Sequence, residues 1–296
     1  MSAAEPFRNP AVSRQQPNPR RPVRVICVTS GKGGVGKTNI TVNLALALSL
    51  QNQSVMLLDA DLGLANVDVM LGLHPRYNLS HVISQERTLA EVIIHGPNDI
   101  RIIPASSGVK RMAELTPEEN AGLVGAFSEL NDSLDIMLID SAAGISDSVV
   151  TFSRASHDVM VVVCDEPASI TDAYALIKLL SQDYGMDRFQ ILANRVATPQ
   201  AGRELFNKLV KVSDRFLDVN LSFCGFIPED PQLRKAVQAQ RAVVEAFPGS
   251  RSAEAFHRLA TQIVGRWPLP RGASGHLQFF IERLVDPAYR SRERTG

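Results

Sequence analysis

Short runs of apolar, β-branched residues recur along the chain and alternate with longer segments of helical pattern. The runs are apolar throughout, which is typical of strands that a parallel sheet buries on both faces. The predicted strands are Val23–Thr29, Val55–Asp59, Ile100–Pro104, Asp135–Asp140, Val159–Cys164, Phe189–Ala193 and Leu221–Ile227. The predicted helices include Thr38–Leu50, Ser169–Asp183, Pro199–Phe216 and Pro231–Ala246. This alternation predicts an α/β fold with one doubly wound, mostly parallel sheet.

Composition divides the chain into three regions. Residues 1–22 are rich in Pro, Arg, Gln and Asn without periodicity, so we expect a disordered tail. Residues 23–267 carry all the predicted strands and form one predicted domain, because the chain of 296 residues is 45% hydrophobic and can bury one large core. Residues 268–296 predict a Pro/Gly-rich hinge followed by an amphipathic helix.

Charge and cysteine content limit the functional classes. The 31 basic and 31 acidic residues give a net charge of +0, which argues against a general polyanion binder. Cys27, Cys164 and Cys224 lie far apart in strand-like segments, so we expect small buried side chains and no zinc or iron–sulfur site. No apolar run reaches the roughly 18 residues of a membrane span, and the first residues lack the apolar core of a signal peptide. We therefore expect a cytoplasmic protein.

Between the first predicted strand and the first predicted helix lies the sequence G-K-G-G-V-G-K-T, residues 31–38. It fits the phosphate-binding pattern G-x-x-x-x-G-K-[ST] in the strand–loop–helix context that the pattern requires. Lys37 is expected to bridge the β- and γ-phosphates, and the Thr38 hydroxyl to bind Mg²⁺. Backbone N–H groups converge on phosphate oxygens in such loops. The candidate nucleotide-binding residues here are Gly33, Gly34, Val35, Gly36, Lys37, Thr38 and Asn39.

Three aspartates follow apolar strands and are candidates to complete the site. Asp59 and Asp61 stand two residues apart in L-L-D-A-D, so their side chains point the same way if the strand persists. Asp140 ends the run I-M-L-I-D. A carboxylate at the carboxyl end of a parallel strand beside a phosphate loop suits Mg²⁺, usually through a water molecule.

The segments K-G-G-V-G-K-T, D-A-D-L-G-L-A-N and D-S-A-A-G resemble the MinD/ParA family of deviant Walker ATPases, and the resemblance covers about Val23 to Phe247. It implies a MinD-like fold of the SIMIBI class, with ATP and Mg²⁺ as ligands and a face-to-face homodimer in the ATP-bound state. It also implies that Lys32 reaches across the dimer to the partner's phosphates. Such a charge stabilises the transition state as an arginine finger does.

Other roles follow from the same resemblance. Asp61 resembles the residue that orients the attacking water, Asp59 its neighbour in the Mg²⁺ shell, and Asp140 the switch aspartate. The remaining matches are Glu166 and Asp172 as contacts across the dimer, Asn194 in A-N-R with Arg195 as the adenine-reading segment, and Pro228-Glu229-Asp230 as the segment lining the base.

Further stretches are similar to one branch of the family, the flagellar number regulators of the FleN/FlhG type. They are D-A-D-L-G-L-A-N-V-D-V-M-L-G-L, D-E-P-A-S-I-T-D-A-Y-A-L-I-K-L-L and the W-P-L-P…G-H-L-Q-F-F-I-E-R-L-V ending. The resemblance implies an antiactivator that restrains a FleQ-like transcription activator and works with an FlhF-like GTPase. Residues 1–22 lack the D-Q-A-x-x-L-R segment of some relatives, which leaves stimulation of the GTPase open.

Several alternatives remain. A MinD-like division-site ATPase or a ParA-like DNA- or cargo-positioning ATPase uses the same motifs, and Lys208, Lys211 and Arg215 share one predicted helix face opposite Leu205, Leu209, Val212 and Phe216. The neutral total charge disfavours direct DNA binding. Iron–sulfur relatives need shared or paired cysteines, and a metabolic kinase or ligase needs an acceptor-binding segment, which the sequence does not reveal.

The last predicted helix has an apolar stripe at positions i, i+3, i+4 and i+7, formed by Leu277, Phe280, Ile281 and Leu284. One interpretation is a helix packed on its own domain. The other is a helix that lies on a membrane surface when exposed. We hypothesise that it is docked in the monomer and released or reshaped in the ATP-bound dimer.

Overall fold

The computed structural model describes residues 22–61, 67–104, 117–128, 134–268 and 277–285. Within these ranges the chain forms an eight-stranded sheet whose spatial order is β3-β4-β2-β5-β1-β6-β7-β8. All pairings are parallel except that of the two-residue β3 with β4. The strands are β1 (Arg24–Ser30), β2 (Val55–Ala60), β3 (Ile94–His95), β4 (Arg101–Ile103), β5 (Ile136–Ala143), β6 (Asp158–Cys164), β7 (Arg188–Val196) and β8 (Asn220–Pro228).

Helices cover both faces of this sheet. Every residue of β1 and β2 is buried, as expected for two-sided strands. The helices are α1 (Lys37–Ser49), α2 (Val67–Met70), α3 (Leu79–Ile83), α4 (Leu89–Val92), α5 (Pro117–Ser128), α6 (Asp147–Ala155), α7 (Pro167–Gln182), α8 (Pro199–Ser213), α9 (Pro231–Gln238), α10 (Val243–Ala246), α11 (Arg251–Arg266) and α12 (Leu277–Val285). A 3₁₀ turn spans Pro97–Asp99.

The alternating side chains of the central strands separate two apolar layers. Ile26 and Val28 of β1 face the layer that contains α1 and α11. Val25 and Cys27 face the opposite layer, where Phe127 of α5 and Phe152 of α6 pack. A third cluster joins β6 and β7 to α7 and α8. The doubly wound arrangement predicted from the strand patterns is therefore confirmed.

The C-terminal helix α12 packs into the second of these layers. Phe280, Ile281 and Leu284 are each at most 1% exposed and belong to the same apolar cluster as Phe127 and Phe152. The Arg283 guanidinium donates a hydrogen bond to the Arg154 carbonyl, which fixes the helix against the end of α6. In this conformation the stripe predicted from the sequence is a core contact. None of the helices in the described ranges is both long enough and apolar enough to cross a bilayer.

Some predicted boundaries need correction. The segment predicted as one helix over 231–246 forms two helices, because Gln240 adopts a left-handed backbone (φ 52°) that interrupts the hydrogen-bond ladder. Helix α8 ends at Ser213, three residues before the predicted end at Phe216, and of the predicted apolar face Leu205 and Leu209 are buried. Phe216 and Val212 are 59% and 40% exposed instead of buried. The predicted tail, most of the hinge, the segment L-G-L-A-N and the Leu277 side chain lie outside the described residues.

Candidate nucleotide-binding site

The phosphate loop lies at the topological switch point of the sheet. Strand β1 is hydrogen-bonded to β5 on one side and β6 on the other, and ligands of open α/β sheets bind at the carboxyl ends of such strands. The loop after β1 enters α1 through Gly36, which has a left-handed backbone (φ 93°) that favours glycine. Helix α1 has no side-chain cap and no acidic residue in its first turn. Its unsatisfied N–H groups are therefore available to an anion.

Lys37, Thr38 and Asp140 come together at this helix start, as the sequence predicted. Lys37 is only 7% exposed, and burial lowers its pKa while the carboxylates of Asp140 and Asp61 oppose that shift. Asp140 is fully buried, which raises its pKa to about 7 against hydrogen bonding from the Thr38 hydroxyl. The Thr41 hydroxyl lies 3.1 Å from Asp140 Oδ1 and 3.0 Å from the Lys37 carbonyl oxygen. A phosphate group here would meet the buried ammonium of Lys37 beside the buried carboxyl group of Asp140.

The donor set also fits a magnesium ion. Asp140 Oδ2 is buried and has no hydrogen-bond partner among the described residues, so it is an oxygen donor with unused capacity. The Thr38 hydroxyl hydrogen-bonds the same carboxylate. A hydroxyl and a carboxylate are hard oxygen ligands of the kind that Mg²⁺ prefers, alongside water and phosphate oxygens. Thr38 would bind the ion directly and Asp140 through its unpaired oxygen or a water molecule.

Asp59 and Asp61 have different surroundings. Strand β2 ends at Ala60, so Asp61 lies just beyond the strand and its N–H donates to Asp59 Oδ1 at 3.1 Å. Asp59 is 1% exposed, and its Oδ2 accepts the Val67 N–H at 3.3 Å. The Asp59 carboxylate therefore holds both ends of the segment that connects β2 to α2. The predicted roles of Asp59 in the Mg²⁺ shell and of Asp61 in orienting water remain predictions.

Lys32 occupies a separate position at the rim of the loop. Its ammonium forms an ion pair with Glu166 Oε2 at 2.7 Å, and both side chains are exposed, by 37% and 54%. The hydrogen bond with Glu166 raises the pKa of Lys32, and Asp172 adds to the shift. A Cβ on Gly31 would lie 2.0 Å from the Asp172 carbonyl oxygen, so only glycine lets the loop touch α7 this closely. The three residues predicted to act across a dimer are thus neighbours within one chain.

The adenine-reading candidate, Asn194, contacts the phosphate loop directly. Its Nδ2 donates to the Val35 carbonyl at 2.6 Å, and its buried Oδ1 has no hydrogen-bond partner in the part of the chain that the structure describes. A Cβ on Gly36 would come within 2.9 Å of that amide nitrogen. Arg195 follows in a left-handed conformation (φ 56°), and its guanidinium stands 4.0 Å from the same Cβ position. Asn194 therefore supports the loop and keeps one amide acceptor for a ligand.

The segment predicted to line the base, Pro228-Glu229-Asp230, contains a carboxylate with a structural role, that of Asp230. Asp230 is buried, and its Oδ1 accepts the Gln232 N–H at 2.9 Å while its Oδ2 accepts both the N–H and the hydroxyl of Ser252, at 3.0 and 2.8 Å. It therefore anchors the first turns of both α9 and α11. Burial would raise the pKa of Asp230, but these hydrogen bonds lower it below its usual value. Pro228 ends β8 beside it and is buried.

Sequence reasoning missed two hydroxyl groups. Thr41 lies three residues after Thr38 on α1, and residues at this spacing share one face of a helix. The sequence could therefore have placed the Thr41 hydroxyl beside the predicted Mg²⁺ site. Ser30 is fully buried at the end of β1, and its hydroxyl donates to the Lys32 carbonyl oxygen at 2.7 Å. A serine before a glycine-rich loop carries no distinctive spacing, so this contact has no sequence signal.

The three cysteines are buried at strand positions, as predicted. Burial raises the pKa of Cys27 to about 12 and also raises the pKa values of Cys164 and Cys224. Within the described ranges, no group of three or more His, Cys, Asp or Glu side chains is arranged to hold a metal ion.

Comparisons with known proteins agree with this geometry. The ParA family model, described as NUBPL iron-transfer P-loop NTPase, matches residues 22–264. The chain belongs to the MinD/ParA family of P-loop ATPases.

Two relatives and one solved structure specify the likeness further. The antiactivator FleN of Pseudomonas aeruginosa is 60% identical over 264 residues, which cover 89% of this chain and 94% of FleN. The flagellum site-determining protein YlxH of Helicobacter pylori is 32% identical over 267 residues, which cover 88% of this chain and 90% of YlxH. A chain of the MinC:MinD cell division protein complex of Aquifex aeolicus superposes with a TM-score of 0.65 at 27% identity, covering 84% of this chain and 99% of its own.

Proposed function

We propose that the chain is an ATP-dependent switch of the flagellar antiactivator type, in which two copies close over two nucleotides. ATP enters with its phosphates at the uncapped start of α1, where Lys37 neutralises charge and the backbone N–H groups donate hydrogen bonds. Asn194 Oδ1 offers an acceptor to the exocyclic amine of adenine. Bound magnesium would neutralise phosphate charge and polarise the γ-phosphate.

The observation that carries the dimer proposal is the contrast between the two lysines of the loop. Lys37 is 7% exposed inside the phosphate cradle, whereas the Lys32 side chain is 37% exposed at its rim. A second lysine held outside the cradle is available to another copy of the chain. Positive charge added from a partner stabilises the dissociative transition state of phosphoryl transfer, so turnover depends on pairing. Asp61 would orient the attacking water, and hydrolysis to ADP and phosphate would be slow because it resets a switch.

The output of the switch is proposed from the relatives. The FleN relative is named an antiactivator and the YlxH relative a flagellum site-determining protein. We accordingly assign this chain the control of flagellar number in the cytoplasm, by binding a FleQ-like transcription activator and acting with an FlhF-like GTPase. Contact with the inner membrane or cell pole through α12 would require that helix to leave the core, since its apolar residues are buried.

Solution mass measured by light scattering tests this proposal. The protein should be monomeric without nucleotide or with ADP, and dimeric with a non-hydrolysable ATP mimic and Mg²⁺. A chain that stays monomeric when saturated with the mimic would refute the switch. Pull-downs in ATP and in ADP, with the FleQ-like activator and the FlhF-like GTPase as baits, then test the output.

A general positioning ATPase is the second candidate, and the MinD fold likeness supports it. It predicts ATP-dependent dimers that ignore the activator. Direct DNA binding is disfavoured by the net charge of +0. Salt-sensitive binding of arbitrary duplex DNA in ATP would support the second candidate.

A further inference from the structure

Ser30 connects the segment after Asp140 to the loop that carries Lys32. Its carbonyl oxygen accepts the Gly144 N–H at 2.8 Å, four residues beyond Asp140 in the chain. Its hydroxyl donates to the Lys32 carbonyl oxygen at 2.7 Å. The Ser30 side chain is fully buried, although its hydroxyl bonds to the backbone of a half-buried residue.

The loop around Lys32 has little else to hold it. A Cβ on Gly33 would meet nothing within 4 Å, and Gly34 has a left-handed backbone (φ 75°) with equally open surroundings. Glycines that touch nothing leave the backbone entropically free. The described contacts that restrain Lys32 are therefore the Ser30 hydroxyl, the Gly31 contact with α7, and the exposed ion pair with Glu166. Of these, the Ser30 hydrogen bond is the polar contact whose donor residue is fully buried.

The local backbone of β5 explains how Gly144 reaches Ser30. The pairing of β1 with β5 shifts register between Val28 and Ser30, so β5 has an extra residue after Asp140. Gly144 then turns with φ 91°, which glycine tolerates and which aims its N–H back at β1. Two short hydrogen bonds, both made by Ser30, thus link the segment after Asp140 to Lys32.

We propose that Ser30 is a positioning residue: its hydroxyl fixes the Lys32 backbone relative to the Asp140–Gly144 segment, so that the Lys32 ammonium stands where a second copy of the chain can use it. This inference rests on the proposed function of Lys32 in the dimer. It assigns Ser30 no contact with nucleotide. Loss of the hydroxyl is expected to loosen the Lys32 loop without changing the phosphate cradle around Lys37.

The test compares Ser30→Ala with a matched control, Ser156→Ala. The Ser156 hydroxyl is also buried and also donates to a main-chain carbonyl at 2.7 Å, that of Phe152, but it lies at the far end of α6. The first readout is made on the nucleotide-free protein: the rate at which an amine-selective acylating reagent modifies Lys32, followed by peptide mass mapping. Ser30→Ala should raise this rate about fivefold, the factor that corresponds to one net hydrogen bond. Ser30→Thr, which keeps the hydroxyl, and Ser156→Ala should leave it at the wild-type value.

The second readout is binding of a fluorescent ATP mimic together with solution mass. Ser30→Ala should bind the mimic within about twofold of wild type yet form dimers about fivefold less readily. Unchanged Lys32 labelling in Ser30→Ala overturns the positioning role whatever the dimer does. An equal loss of nucleotide binding also overturns it, because the hydroxyl would then shape the cradle. If labelling rises while wild type itself stays monomeric with the mimic, the positioning role stands and the proposed dimer function fails.

A second variant covers the case in which Ser30→Ala does not fold. A Cβ at Gly144 would meet no atom within 4 Å, so Gly144→Ala acts only through its positive φ and strains the N–H that binds Ser30. Gly144→Ala should also raise the rate at which the reagent modifies Lys32. Wild-type labelling in a folded Gly144→Ala protein would contradict the proposed link.

Discussion

The Lys32 ammonium and the Glu166 carboxylate are 2.7 Å apart within one chain. Both residues are expected to contact a partner in the ATP-bound dimer. In the monomer each side chain instead forms an ion pair with the other. Exposed ion pairs contribute little to stability, typically less than about 1 kcal/mol. The pair can therefore be exchanged for contacts across an interface at small cost.

Lys32→Ala should keep nucleotide binding and lose ATP-dependent dimers and turnover. The reason is that Lys37 alone occupies the buried cradle, while Lys32 stands at the rim. Calorimetry with the ATP mimic and light scattering measure the two effects separately. Lys208→Ala is a matched control, since Lys208 is also exposed and pairs with the neighbouring Asp165 at 2.9 Å. A wild-type turnover rate in Lys32→Ala would rule out the role in trans.

Gly31→Ala should destabilise the nucleotide-free protein and displace the Lys32 loop. The added methyl would lie 2.0 Å from the Asp172 carbonyl oxygen, which belongs to helix backbone and cannot yield cheaply. Overpacking of this kind typically costs about 1–3 kcal/mol. Thermal unfolding without nucleotide measures the loss. Gly33→Ala, where a Cβ meets nothing within 4 Å, should unfold at nearly the wild-type temperature; equal losses in both variants would argue against the contact.

Asp140→Asn should abolish Mg²⁺-dependent nucleotide binding and stabilise the nucleotide-free protein above neutral pH. The folded state raises the pKa of Asp140 to about 7 from 3.8, so it retains a proton that the unfolded state releases. The contribution of Asp140 to the free energy of unfolding consequently falls as pH rises from 3.8 to about 7, by on the order of a few kcal/mol.

Urea unfolding of both proteins at pH 5 and pH 8 measures the difference, which should grow with pH. Asp183→Asn, at an exposed position after α7, controls for a change in net charge. A constant difference across this range would contradict the buried, proton-retaining carboxyl at Asp140.

Asp230→Ala should destabilise the fold more than it alters any contact with nucleotide. It removes the acceptor for the first turns of α9 and α11 together, which we expect to cost about 2–4 kcal/mol. Because the folded pKa of Asp230 is lowered, its contribution is complete above the unfolded pKa and is lost as pH falls through the folded pKa.

The urea midpoint at neutral and acidic pH measures that contribution. The variant should differ most from wild type at neutral pH and least in acid. Glu229→Ala serves as the control, since Glu229 is exposed and pairs with Arg234 at the surface.

Phe280→Ala should cost about 3–5 kcal/mol of folding free energy, because the ring is fully buried among α5, α6 and the sheet. Chemical denaturation measures this loss, and Glu282→Gln, on the exposed side of α12, should be close to neutral. Vesicles of anionic lipid then test the release hypothesis. Pelleting that requires ATP and is lost in Phe280→Glu would support release, whereas equal pelleting of both proteins would dispose of it.

The sheet and the phosphate loop were accessible from the sequence because they depend on local patterns. Uninterrupted apolar runs marked two-sided strands, and the glycine spacing marked the loop between β1 and α1. The break at Gln240 and the exposure of Phe216 were not accessible, because both depend on where tertiary contacts end. A helical pattern alone does not specify at which turn a helix stops packing against the rest of the protein.

The site shows the same division. Residue types and positions indicated that Lys37, Thr38 and Asp140 would lie together, because such residues stand at strand and helix ends; their roles in nucleotide binding remain predictions. The partners of Asp230 were not readable, because Ser252 is 22 residues away and lies on a helix that the strand pattern did not indicate. The sequence also does not reveal that Lys32 pairs with Glu166 rather than with Asp172.

The burial of α12 has a consequence for how the protein is made. Every strand of the sheet precedes Leu277 in the chain, yet the apolar layer over β1 and β5 includes Phe280, Ile281 and Leu284. A polypeptide still attached to the ribosome therefore lacks part of the cover over α5 and α6 until α12 has been translated, and during that interval a chaperone could shield the apolar surface that α12 later buries.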